Sequence, residues 1–119
     1  MNLRMVRGDT FIFDVSVVRD GAAVDITGAT FRCTVKWDYN DADTGTIFLF
    51  TKTSSSGISV LSAPDGQIRI TFNPSDTSGL PPHQVDLFYD VQMVDNAGAV
   101  FTVLRGSLTV VPDVSVTSP

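Results

Sequence analysis

One cysteine, Cys33, and one histidine, His83, stand beside thirteen acidic residues, all aspartate, in a chain of 119 residues. A cysteine–histidine pair needs an exposed thiol of lowered pKa. Cys33 instead falls mid-strand between the inward positions of Phe31 and Val35, the setting of a small buried hydrophobe. His83 follows Pro81-Pro82 in a loop. No Gly-x-Ser-x-Gly elbow accompanies them. Asp38, Asp41 and Asp43 offer oxygen ligands of the kind calcium takes, but an EF-hand loop begun at Asp41 requires glutamate where Lys52 stands. The cluster reads as a hydrated acidic turn. Arg7-Gly8-Asp9 spells an adhesion tripeptide, and Gly8 is read simply as the break after an N-terminal strand. The expectation is a protein that is not an enzyme, with no catalytic residues, no cofactor and no metal.

The elements that hold these residues are strands. Sixteen valines, six isoleucines and thirteen threonines favour pleated sheet, while Glu is absent and Lys occurs twice. Phe11, Phe13, Val15 and Val17 alternate with polar neighbours. So do Phe31, Cys33, Val35 and Trp37; Ile68, Ile70 and Phe72; and Leu87, Tyr89, Val91 and Met93. Further strand-like runs cover 46–52, 58–61, 100–104 and 107–111, the last ended by Pro112. Turn signals separate them at Arg19-Asp20-Gly21, Ala63-Pro64-Asp65-Gly66 and Asp95-Asn96-Ala97-Gly98. Residues 73–82 form a loop with room for one helical turn at 74–78. Seven to eight strands at this spacing predict an all-β fold, a single antiparallel Ig-like β-sandwich over 1–119 with a short C-terminal extension, 113–119. Its expected core is Phe11, Phe13, Val15, Phe31, Cys33, Val35, Trp37, Ile68, Ile70, Phe72, Tyr89 and Val91.

The net charge of −5 comes without a basic stripe, so binding to nucleic acid is not expected. No apolar run reaches the roughly 18 residues of a membrane span, and the start of the chain lacks the apolar stretch of a secretory signal. The informative irregularity is apolar residues on both faces of several strands: Ile47-Phe48-Leu49-Phe50 throughout, Phe88 and Val94 opposite the Leu87 face, and Ile12 and Val18 opposite the Phe11 face. A two-layer fold covers one face of each sheet, so the surplus predicts a covered patch on the assembled protein.

Two segments and a spacer carry a resemblance. Arg7-Gly8-Asp9-Thr10-Phe11-x-Phe13-Asp14, then Val24-Asp25-Ile26-Thr27-Gly28-Ala29-Thr30-Phe31, resembles the opening of the small Ig-like domain of tailed-bacteriophage virion proteins, known best as the N-terminal domain of the baseplate upper protein. Tyr89-Asp90-Val91-Gln92-Met93-Val94-Asp95, Gly98 and Leu104-Arg105-Gly106-Ser107-Leu108-Thr109-Val110 are similar to its closing strands. Asn73-Pro74-Ser75-Asp76-Thr77 resembles its connecting segment. The resemblance implies a non-enzymatic virion structural protein, assembled in the host cytoplasm and docking on tail, baseplate or capsid through protein–protein contacts. Its partners would be other virion proteins, with many copies or a homo-oligomer, and neither nucleic acid nor membrane. The chain stops short of the coiled coil that follows in baseplate upper proteins, which brings in a capsid decoration (cement) role. A receptor- or carbohydrate-binding module is the alternative from another class, and an esterase-like or metal-dependent enzyme comes last.

Phe48, Phe50, Phe88, Val114 and Val116 are the candidate interface residues. Val114 and Val116 alternate with Asp113, Ser115 and Thr117, a strand pattern beyond the expected sandwich, and unpaired strands recruit other chains. Residues 113–119, with 2–6, are therefore expected against neighbouring subunits.

Overall fold

The computed structural model describes residues 2–37, 48–80 and 83–112, except for the side chains of Phe48 and Leu49. Along the chain run β1 (Leu3–Val6), β2 (Phe11–Ser16), β3 (Val18–Arg19), β4 (Ala22–Ala23), β5 (Thr30–Lys36), β6 (Phe48–Thr53), β7 (Ile58–Ser62), β8 (Gln67–Phe72), α1 (Pro74–Thr77), β9 (Val85–Val94) and β10 (Val100–Val111). They form a five-stranded sheet in the order β1-β10-β9-β5-β6, a three-stranded sheet β2-β8-β7, and a small β3-β4 ribbon. The fold is all-β, and its pairings are antiparallel apart from the parallel ladder of β1 on β10.

Alternation dictates what each sheet buries. Phe31, Cys33 and Val35 from β5, Leu87, Tyr89, Val91 and Met93 from β9, and Leu108 and Val110 from β10 face Ile68, Ile70 and Phe72 of β8 and Val15 of β2 in one core. The rings of Phe13 and Tyr89 meet across the layers at 6.2 Å, and those of Phe50 and Phe72 at 4.9 Å, both edge to face. Each buried side chain of this size is worth about 1.5–3 kcal/mol.

The turns follow their residue types. Asp20 and Gly21 have φ of 53° and 78°, the pair of positive angles a two-residue β3–β4 turn requires. Gly66, at φ 66°, packs its backbone so closely that an added Cβ would lie 2.5 Å from the Val24 carbonyl oxygen. The 74–78 turn is α1, whose Asp76 carboxylate accepts from the Asn73 amide at 2.7 Å in a capping box.

Three expectations need correction. Trp37 is 45% exposed and outside the core, because the β5–β6 ladder shifts register after Val35 and β5 ends at Lys36. Alternation beyond the ladder carries no inward direction. The runs 100–104 and 107–111 are one strand, β10, bulged between Thr102 and Leu104. Residues 3–6, expected against a neighbouring subunit, are β1 and pair within the chain, Leu3 opposite Leu108 through Val6 opposite Val111.

Candidate functional site

Cys33 and His83 are not brought together. Cys33 is fully buried, and burial pushes its thiol up to about 12, with Asp90 adding to the rise. Such a thiol is inert at neutral pH. His83 is exposed, its Nδ1 3.1 Å from the Gln84 carbonyl oxygen. The acidic cluster at 38–43 lies outside the described residues, as do Val114 and Val116. Arg7-Gly8-Asp9 is tied into the fold: Arg7 Nη1 donates to the Leu80 carbonyl oxygen at 2.8 Å, and the Gly8 amide donates to the buried Thr77 Oγ1 at 2.9 Å.

Of the candidate interface residues, Phe50 is corrected. It lies opposite Val35 on the inner face, and its ring packs on Phe72. Phe88 is on the outer face, half-buried, between Ser107 of β10 and Lys36 of β5. Phe48 sits opposite Lys36 in the ladder. The same outer face carries Arg4, Arg32, Lys36 and Arg105 against Asp86 and Asp90. It is thus the cationic face of an acidic protein. Thr34 and Phe88 help line a hollow of about 110 Å³ there, between Lys36, Asp90 and Arg105.

Two further openings lie at one corner. The β3–β4 ribbon stands beside the first half of β10 with the Arg19 guanidinium 4.3 Å above the Phe101 ring. Grooves of about 370 Å³ and 130 Å³ run between them, with Val24, Met93 and Phe101 lining both. Two carboxylates at the rim are occupied by their own turns. Asp25 accepts from the Thr27 hydroxyl at 2.6 Å and the Thr27 amide at 3.0 Å, which holds it below the ordinary 3.8. Asp95 accepts from the amides of Ala97 and Ala99. The grooves present polar and apolar surface in about equal measure, and the exposed valines lie at their margins. Val18, at 56% exposed, borders the smaller one, and Val100, at 62%, lies opposite Val94 on the adjoining outer face. The surplus of apolar residues at Ile12, Val18 and Val94 is therefore real surface, legible from alternation alone. Val100 and the half-buried Phe101 and Val103 add to it, a grouping that the two separate runs 100–104 and 107–111 do not reveal.

No protein-family model, curated protein or solved structure matches the chain.

Proposed function

We propose that this chain is a non-enzymatic virion structural protein, an Ig-like module that docks on tail, baseplate or capsid through protein–protein contacts and is present in many copies. The observation that carries the reading is the corner where Val18, Val94, Val100 and Phe101 leave carbon surface open beside a β10 edge that has no strand neighbour among the described residues. Exposed apolar surface at a sheet edge suits a partner chain better than a small polar substrate. The strand order supports the Ig-like part. Lettered along the chain, β2, β5, β6, β7, β8, β9 and β10 take the places B, C, C′, D, E, F and G, giving B-E-D facing G-F-C-C′. One departure stands out: the first strand lies beside β10, and among the described residues the place next to β2 has no strand.

The resemblance of the opening and closing segments to phage Ig-like domains supplies the virion setting. Particles banded from cultures that carry the encoding genome test it. The chain should co-band in a fixed, high ratio to the major capsid or tail protein by quantitative mass spectrometry, and its absence from banded particles would defeat the reading. Binding of the purified chain to a glycan array would favour the carbohydrate-binding alternative.

A further inference from the structure

Charge is divided unevenly over the molecule. Period two puts Arg4 of β1, Arg105 of β10, Asp86 and Asp90 of β9, and Arg32 and Lys36 of β5 on the outer face of the five-stranded sheet. Four cations thus stand against two carboxylates there, in a chain whose net charge is −5. The hollow of about 110 Å³ opens on this face, with several times the room one water needs. Lys36, Arg105 and the hydroxyl-bearing Thr34 and Thr102 line it with Asp90, and Phe88 gives it an aromatic side. The β3–β4 turn has the opposite character. Residues 19–23 are exposed throughout, and a Cβ added at Gly21 would meet nothing within 4 Å, so the turn stands clear of the body. At its tip the Asp20 carboxylate makes no hydrogen bond or ion pair among the described residues. Asp25, Asp65 and Asp95, by contrast, accept from neighbouring residues. Backbone bonds from Val17 to Gly66 and from Ile26 to Ala63 bring Asp65 to the same end of the molecule.

From this we infer that the β3–β4 turn of one copy docks on the outer sheet face of a second copy, with the Asp20 carboxylate seated in the hollow between Lys36 and Arg105. The inference deepens the assembly reading above by naming a second copy as one partner, and rests on it for its setting. Complementarity carries it: a protruding tip with an unengaged carboxylate, and a hollow where two cations and two hydroxyls converge. The carboxylate accepts from the Arg105 guanidinium and the Lys36 ammonium, and the hydroxyls of Thr34 and Thr102 can turn to donate as well. Asp90 shares these cations with the incoming group, so the contact is modest in strength and weakened by salt, as contacts between exposed charges are. Behind the tip, Asp25, Asp65 and Asp95 meet a face to which Arg4 and Arg32 add positive charge. Within one copy, the Arg19 guanidinium over Phe101 holds the ribbon on the flank of β10. The tip is then left for a neighbour. Because tip and hollow are different surfaces, the contact is head-to-tail and propagates or closes into a ring.

The purified full chain provides the test, by sedimentation velocity and native mass spectrometry. In low salt the wild type should self-associate at micromolar concentration, and about 0.5 M sodium chloride should weaken the association at least about tenfold. Asp20→Asn removes the charge at the tip and keeps a residue that tolerates positive φ. Arg105→Glu reverses one wall of the hollow, and Arg105→Gln serves in its place should a glutamate beside Asp90 impair folding. Each variant should melt like the wild type and be monomeric in low salt. Mixed, D20N supplies an intact hollow and R105E or R105Q an intact tip, so the pair should form a heterodimer. A wild type that stays monomeric in low salt would overturn the inference, and co-banding with particles would be untouched. Self-association that salt, Asp20→Asn or the Arg105 variants leave unchanged overturns it as well and points to the apolar corner. So does a mixture in which no heterodimer forms.

Discussion

On the flank bordered by β6, Phe50 stacks edge-on against Phe72, and the Lys52 ammonium crosses from the five-stranded sheet to Asp76 of α1 at 2.7 Å, with side chains only 6% and 14% exposed. On the flank bordered by β2 and the first half of β10, the layers meet through Phe13 on Tyr89 and Arg19 over Phe101, with grooves beside them. Both flanks are built from strands with the same alternation of apolar and polar residues. What differs is whether a neighbour exists to complete the burial. Inward-facing carbon is therefore no guarantee of a closed core, and at a sheet edge it can stay half-covered.

Cys33 reports whether the core is sealed. With its thiol near 12, the folded protein should react with thiol reagents at pH 8 more than about a thousandfold slower than the unfolded chain. Rapid labelling under native conditions would mean that the core opens. Next come the aromatic rings. Phe72→Ala, at a fully buried site, should cost about 3–5 kcal/mol, whereas Phe101→Ala on the open flank should cost about 1 kcal/mol. Denaturant titration giving equal costs would erase the distinction between the flanks.

The buried ion pair ranks below Phe72. Asp76→Ala leaves Lys52 without its carboxylate and removes the cap of α1, a loss of about 3 kcal/mol. Lys52→Met together with Asp76→Ala should recover part of it, because the stranded charge is gone. If the double variant is no better than the single, desolvation of Lys52 is not what makes the pair matter.

The smallest effect belongs to the exposed pair on the outer face of the three-stranded sheet. Arg69 Nε donates to Asp14 Oδ1 at 2.8 Å, and that hydrogen bond, with the adjacent positive charge, holds the Asp14 carboxyl below the ordinary 3.8. A folded-state value below the unfolded one stabilises the protein above the unfolded value, and the contribution is lost as pH falls through the folded one. The stability gap between wild type and Asp14→Asn should therefore be full above about pH 4 and close below it. A gap independent of pH would show that the pair is not electrostatic.

Much of the fold was legible in the residues. The aspartate–glycine and asparagine-containing turns, the helical turn at Pro74 and the inward sets on β5, β8 and β9 follow from φ preferences and period two, which are local. Trp37, Phe50 and the continuity of β10 were not, because each depends on where a ladder shifts register or ends, and that is decided by the partner strand. Thr102 and Leu104 straddle a bulge with no glycine or proline to announce it. The apolar corner was half visible. Ile12, Val18 and Val94 stand out against the pattern, but that Val18 and Val100 come to adjoining surfaces is a matter of topology.

The parallel ladder between β1 and β10 also bears on how the molecule responds to tension. Because the two strands run the same way, pulling residue 2 and residue 112 apart slides one strand lengthwise along the other. The contacts from Leu3 opposite Leu108 to Val6 opposite Val111 are then strained together, where a hairpin opened from its free end would give way one pair at a time. Forced unfolding is governed by the rate of crossing such a barrier. A chain gripped at both ends in this way should lengthen abruptly and only at high force, a clasp that holds under stretch although it joins only the margin of one sheet.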